Sequence, residues 1–173
     1  VRSILSEIMP SADSDDFSKD DVERLLGFIS SCKMDMVEPE DSQARAEDAS
    51  GILASRVYSR YAAMMQSYGA LDLDDLIYLP VIFFRSHPDV LARWQRRLRY
   101  ILVDEYQDTN SCQYELLKLL AGERQAFTVV GDDDQSIYSW RGARPENIDL
   151  LIRDFPQTKV IKLEQNYRST GRI

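Results

Sequence analysis

Two adjacent carboxylates, Asp104 and Glu105, directly follow a short apolar run from Tyr100 to Val103. That order predicts a buried β-strand whose C-terminal end delivers both acids into a cleft, the place where open α/β sheets bind ligands. A carboxylate there can hold Mg²⁺, a hard cation usually bound by one or two carboxylates plus substrate phosphates. A second carboxylate beside it can orient or deprotonate a water. The chemistry suggested is hydrolysis of a nucleoside triphosphate. Taken alone, the pair also fits an exposed turn that does nothing.

Two further segments bear on that choice. A second apolar run, Ala126 to Val130, ends in Gly131, a residue type that allows a sharp exit from the strand. Beyond it come Asp132, Asp133, Asp134 and Gln135, then Tyr138 and Trp140 at alternate positions, then Arg141. Aromatic rings next to a cation stack well on unpaired bases, although an isolated aromatic pair is more often core. A third run, Lys159 to Leu163, predicts another strand and is followed by Tyr167 and Arg168. The planar guanidinium of Arg168 suits a phosphate, and Tyr167 could stack on a base.

In this order and at this spacing, the three segments resemble the superfamily 1 DNA helicases of the UvrD/PcrA/Rep group, most closely the Rep type. The similarity is carried by residues 103–110, 131–145 and 159–169. It extends upstream to residues 71–77, where the third position is Leu73 and the family more often has Phe. It is dense over residues 71–173 and loose over 1–70. The resemblance implies an ATP-dependent, 3′–5′ single-stranded DNA translocase that unwinds duplex DNA in replication or repair, with ATP and Mg²⁺ as cofactors. Asp104 would hold Mg²⁺, Glu105 would activate water, and Gln135 would sense the γ-phosphate. Arg168 would contact that phosphate and Tyr167 would stack on adenine. Tyr138, Trp140 and Arg141 would meet single-stranded DNA. The partners implied are single strands and duplex junctions, with replication or repair proteins or a second copy as further possibilities.

A phosphate loop of the form G-x-x-x-x-G-K-[ST] would complete such a site, and these residues contain none. The expectation is an internal stretch of a longer helicase, inactive by itself.

The elements that must position these groups follow from periodicity and composition. Ser18 reads as a helix N-cap with Asp20, Asp21 and Glu23 near the helix start. Val22, Leu25, Leu26 and Ile29 form one helical face. A longer helix is expected from about Gln43 to Tyr68, capped by Gly69. Asp72 or Asp74 starts the next helix, which Pro80 would kink or shift. Another helix covers 88–98, with His87 at its entry. From 100 onward, strands at 100–103, 126–130 and 159–163 alternate with helices at 111–121 and 145–154, a pattern that implies a parallel sheet. The fold expected is α/β: a RecA-like, P-loop NTPase core portion over 71–173, preceded by a helical insertion subdomain over 1–70.

With 173 residues, 44% hydrophobic and 29% charged, the chain can bury a core. No apolar run approaches the roughly 18 residues that cross a membrane. Cys32 and Cys112 lack a spacing partner and suggest free thiols in a reducing cytoplasm. The net charge of −8 is concentrated in residues 1–70 and argues that this piece alone binds DNA weakly. The basic cluster Arg93, Arg96, Arg97 and Arg99 fits either phosphate contact or a solvated helix face. Three other readings stay open: a subunit of a nuclease–helicase, a non-catalytic DNA- or protein-binding module, and a metal nuclease using Asp132, Asp133 and Asp134. Consecutive acids point in different directions and hold one ion poorly.

Overall fold

The computed structural model describes residue 4 and residues 18–46, 48–137, 142–144 and 146–172. Helix α1 spans Lys19–Met34. Its start is set by a reciprocal cap: the Ser18 hydroxyl accepts from the Asp21 amide at 3.1 Å, and the Asp21 carboxylate accepts from the Ser18 amide at 3.1 Å. This satisfies donors that the first turn leaves without an intrahelical partner. A 3₁₀ turn at Ser42–Arg45 leads to α2, Ala49–Tyr68. Asp48 caps α2 by accepting from the Gly51 amide at 2.8 Å, and Gly69 ends it in the left-handed region at φ 59°. The helix therefore begins later than the expected start at Gln43. Asp48 supplies the cap, and the preceding residues form a tighter turn.

Leu25, Ile29 and Cys32 on α1 interdigitate with Ala54, Val57 and Tyr58 on α2 and with Ile4. Helix α3, Asp75–Ser86, runs unbroken through Pro80. Its first turn is tied by a second reciprocal pair. The Asp72 amide donates to Asp75 at 3.1 Å and the Asp75 amide donates to Asp72 at 2.9 Å. His87 closes α3 and opens α4, Pro88–Arg97. Its ring stacks on Phe83 at 4.2 Å and its Nδ1 lies 3.1 Å from the Phe83 carbonyl, so it is a joint between helices. Helix α4 buries no residue, and Arg93 pairs with exposed Asp89.

Strands β1, Ile101–Val103, and β2, Phe127–Val129, pair in parallel, with Ile101 opposite Phe127 and Val103 opposite Val129. Between them runs α5, Ser111–Ala121, whose Asn110–Gln113 capping box places its start where the sequence reading puts it. Helix α6 covers Asn147–Asp154. Alternation sends Ile101, Val103, Phe127 and Val129 to one face, where they pack on Tyr106, Tyr114, Leu117, Leu151 and Phe155. A third cluster, Tyr78, Val81 and Cys112, joins α3 to α5. Burial pushes the Cys112 thiol up to about 11, which makes it an inert core group.

The expected third strand does not form. Residues 156–166 have no regular structure, and Val160, Ile161 and Leu163 are exposed. Strand identity requires a neighbour's backbone, and the sheet among the described residues has only β1 and β2. The architecture is thus mixed: mostly helical, with a two-stranded parallel sheet. No helix among the described residues is long and apolar enough to cross a membrane.

A buried ion cluster fastens α1 to the start of α3. Lys33 is 4% exposed, and its ammonium donates to Asp72 and Asp75, each at 2.6 Å. Tyr61 on α2 also donates to Asp72, at 2.8 Å. Burial pushes the Asp72 carboxyl up, but the Lys33, Asp75 amide and Tyr61 hydrogen bonds outweigh it and hold the group below its ordinary range.

Candidate active site

The end of β1 turns sharply. Val130 donates its amide to the Val103 carbonyl at 2.8 Å and Tyr106 donates to the Val130 carbonyl at 2.9 Å, so the two strand exits stay zipped together. Between them, Glu105 adopts φ 49° and ψ 44°, a left-handed conformation that L residues avoid. The next residues, Tyr106–Asp108, form a 3₁₀ turn. The kink leaves Asp104 and Glu105 exposed while Tyr106 and Gln107 are driven inside, each 1% exposed. Tyr106 anchors the turn by donating its hydroxyl to the Asn147 carbonyl at 3.1 Å.

Asp104 accepts the Glu105 amide on Oδ1 at 3.0 Å, and its Oδ2 has no partner among the described residues. Glu105 accepts on Oε2 from the Gln107 side-chain amide at 2.7 Å. The other end of that amide, Oε1, accepts from the Asp132 backbone amide at 3.0 Å. Asp132 in turn accepts from the Gln135 side chain at 2.6 Å and from the Asp134 amide at 3.1 Å. The outcome is a continuous path of hydrogen bonds from Glu105 to Gln135, joining the exits of both strands.

Gly131 has a role different from the one expected. Its φ is not in the left-handed region. A Cβ there would instead lie 2.8 Å from Gln107 Oε1 and 3.3 Å from the Tyr106 amide. The residue is small because another side chain passes over it.

The donor set fits a divalent cation bound jointly with phosphates. Asp104 offers a hard, exposed oxygen at a strand end, and among the described residues no three carboxylate, His or Cys groups cluster tightly enough to hold a metal unaided. Asp132 accepts on both carboxylate oxygens, from Asp134 and Gln135, and belongs to no cluster of three metal-holding groups among the described residues.

The structure brings Asp104, Glu105 and Gln135 together. It does not bring Tyr167 and Arg168 to them: Tyr167 is 91% exposed, and the nearby turn is held by Asn166, which accepts from the Arg168 amide at 2.9 Å. Tyr138, Trp140 and Arg141 lie outside the described residues. Their flanks are firmly placed. Gly142 has φ 79°, and a Cβ there would lie 2.9 Å from Met34 Sδ. Arg144 donates its amide to the Thr109 carbonyl at 3.0 Å and pairs with Asp35 at 2.7 Å, the same carboxylate that Arg45 engages at 2.6 Å.

The UvrD/REP helicase N-terminal domain model matches residues 1–156. The chain belongs to the UvrD/REP helicase N-terminal domain family. It is 54% identical to the ATP-dependent DNA helicase Rep of Escherichia coli over 152 residues, 88% of this chain and 23% of that protein. Rep of Salmonella typhimurium matches to the same extent. The ATP-dependent DNA helicase PcrA of Leuconostoc citreum is 46% identical over 158 residues, 91% of this chain and 21% of that protein. The chain thus spans under a quarter of the length of these relatives.

Within this UvrD/REP segment, sequence reasoning missed Gln107, and it weighed Asp132 only as a metal ligand, not as the partner of Gln107. Gln107 is polar inside a motif otherwise read for its acids, and only the tertiary fold shows that both ends of its amide are used. Lys33, Asp72 and Asp75 were also invisible as a cluster. The only local hint was a pair of acids three residues apart at a helix start.

Proposed function

We propose that these residues form the nucleotide-hydrolysing and DNA-coupling part of an ATP-dependent DNA translocase that unwinds duplex DNA with 3′–5′ polarity in replication or repair. In this reading residues 71–173 are a portion of a RecA-like motor core and residues 1–70 a helical insertion. The observation that carries it is the placement of Asp104 and Glu105 at the C-terminal end of β1, hydrogen-bonded through Gln107 and Asp132 to Gln135 at the exit of β2. One motif handles charge at the phosphates, and the next leads toward Tyr138, Trp140 and Arg141.

Each group has a task that its chemistry suits. Asp104 would hold Mg²⁺, which would neutralise charge on the phosphates. Glu105, oriented by Gln107 and open to solvent, would accept the proton of the attacking water. Gln135 would register the γ-phosphate, Arg168 would meet that phosphate as a planar donor, and Tyr167 would cover the adenine. Tyr138 and Trp140 would stack on bases of the single strand, with Arg141 beside them. Tyr167 and Arg168 are free to take part because neither is committed to a protein partner through its side chain among the described residues.

The test is Glu105→Gln in the full-length ATP-hydrolysing protein that carries these residues. MgATP binding should persist while hydrolysis falls by about 10²-fold or more, the scale for losing a positioned proton acceptor. An undiminished hydrolysis rate would sink the assignment.

A further inference from the structure

Gln107 is a fully buried amide that spans the gap between the expected proton acceptor and the loop expected to sense phosphate. Its Nε2 donates to Glu105 Oε2 at 2.7 Å, and its Oε1 accepts from the Asp132 amide at 3.0 Å. The partners dictate its orientation. A flipped amide would set oxygen against the Glu105 carboxylate and NH₂ against the Asp132 N–H. The backbone of Gly131 makes room for Oε1, since any Cβ there would sit 2.8 Å from it. Ser136, just past Gln135, further lies with its hydroxyl 3.4 Å from the Gln107 carbonyl.

We propose that Gln107 is the positioning residue for Glu105, and that it ties the direction of that carboxylate to the placement of the Asp132–Gln135 loop. The inference rests on the reading of Glu105 as proton acceptor. By occupying Oε2 with a fixed donor, Gln107 leaves Oε1 as the oxygen that faces water and halts rotation of a carboxylate on an exposed, strained residue. Because the same amide is held from behind by Asp132, a shift of the Gln135 loop moves the donor and with it the carboxylate. Nucleotide state at one motif is thereby communicated to the proton acceptor at the other through a single side chain.

The experiment is a double-mutant cycle in the full-length ATP-hydrolysing protein, using Gln107→Met, Glu105→Gln and the pair. Met matches Gln in length and removes both polar ends. Gln107→Met should lower kcat by about 10–100-fold, the range for losing the outer partner of a catalytic group, with KM for ATP changed less than about threefold. In the Glu105→Gln background the same change should cost almost nothing more, because there is no carboxylate left to position. Gln107→Glu keeps the shape but turns an acceptor toward Glu105, and should lose at least as much kcat as the Met variant. It also provides the readout if the Met variant does not fold. Wild-type kcat in either Gln107 variant would overturn the proposal while leaving the Glu105 assignment standing. Full additivity in the cycle would do the same, since it would mark Gln107 as mere packing. Wild-type hydrolysis by Glu105→Gln alone would remove both.

Discussion

Two clusters of acids in this molecule look alike in sequence and do opposite things. At the start of α3, Asp72 and Asp75 are turned inward onto Lys33 and Tyr61, with the Asp75 side chain 8% exposed. At the end of β1, Asp104 and Glu105 are turned outward on a strained turn, with oxygens left open to solvent. The first cluster divides its hydrogen bonds between capping α3 and tying α3 to Lys33 on α1 and Tyr61 on α2. The second holds itself in place through Gln107 and keeps capacity in reserve. Burial against a cation sets the first pair to serve the fold, and exposure at a left-handed turn is what the role proposed for the second requires.

That contrast can be broken most sharply at Lys33. Lys33→Met would leave two carboxylates facing each other without a cation, and should destabilise the chain by about 3–5 kcal/mol, the cost of stripping one partner from a buried ion pair. Urea unfolding monitored by circular dichroism gives the number, and a loss under 1 kcal/mol would erase the distinction between the clusters. Much less is expected at the strand end. Glu105→Gly relieves the left-handed backbone but leaves the buried Gln107 amide without its acceptor and loosens the unfolded chain, so stability should change by under about 1 kcal/mol. A loss above about 2 kcal/mol would show that Glu105 is structural.

A smaller effect separates a third acid. Asp154 accepts from Lys118 and Tyr114, each at 2.9 Å, and these bonds hold its carboxyl at about 2, below the ordinary 3.8. Its folded value is depressed, so its contribution is complete above about pH 4 and is lost as pH falls through about 2. The stability gap between wild type and Asp154→Asn should therefore shrink between pH 7 and pH 2.5, and a constant gap would refute the link.

Local signals carried much of this fold. The capping residue Ser18 placed α1 because the bonds that decide a helix start lie within three residues, and the structure shows the same kind of box, Asn110 with Gln113, at the start of α5. Gly69 ended α2 for the same reason. One failure was local, since Asp48 caps α2 within three residues and the expected start at Gln43 passed over it. The others were non-local. Lys159–Leu163 has the composition of a strand, but composition cannot supply a neighbouring backbone. Gly131 reads as a turn residue, and only the passage of Gln107 above it shows why a side chain is excluded. In the site, Asp104 and Glu105 were legible from their place after an apolar run, and Gln135 only through the family resemblance. The bridge between them was not, because Gln107 and Asp132 lie 25 residues apart and meet only through parallel pairing of β1 with β2.

The carboxylate of Asp35 grips Arg45 from its own helical neighbourhood and Arg144 from 109 residues away. The first grip closes a short loop and the second a long one, whose closure costs more entropy. Arg144 also donates its amide to the Thr109 carbonyl, just after the turn that carries Asp104 and Glu105. Residues 142–144 are therefore moored twice, to the helical pair through Asp35 and to the exit of β1 through Thr109, so a shift between those two regions would be felt first at this short stretch.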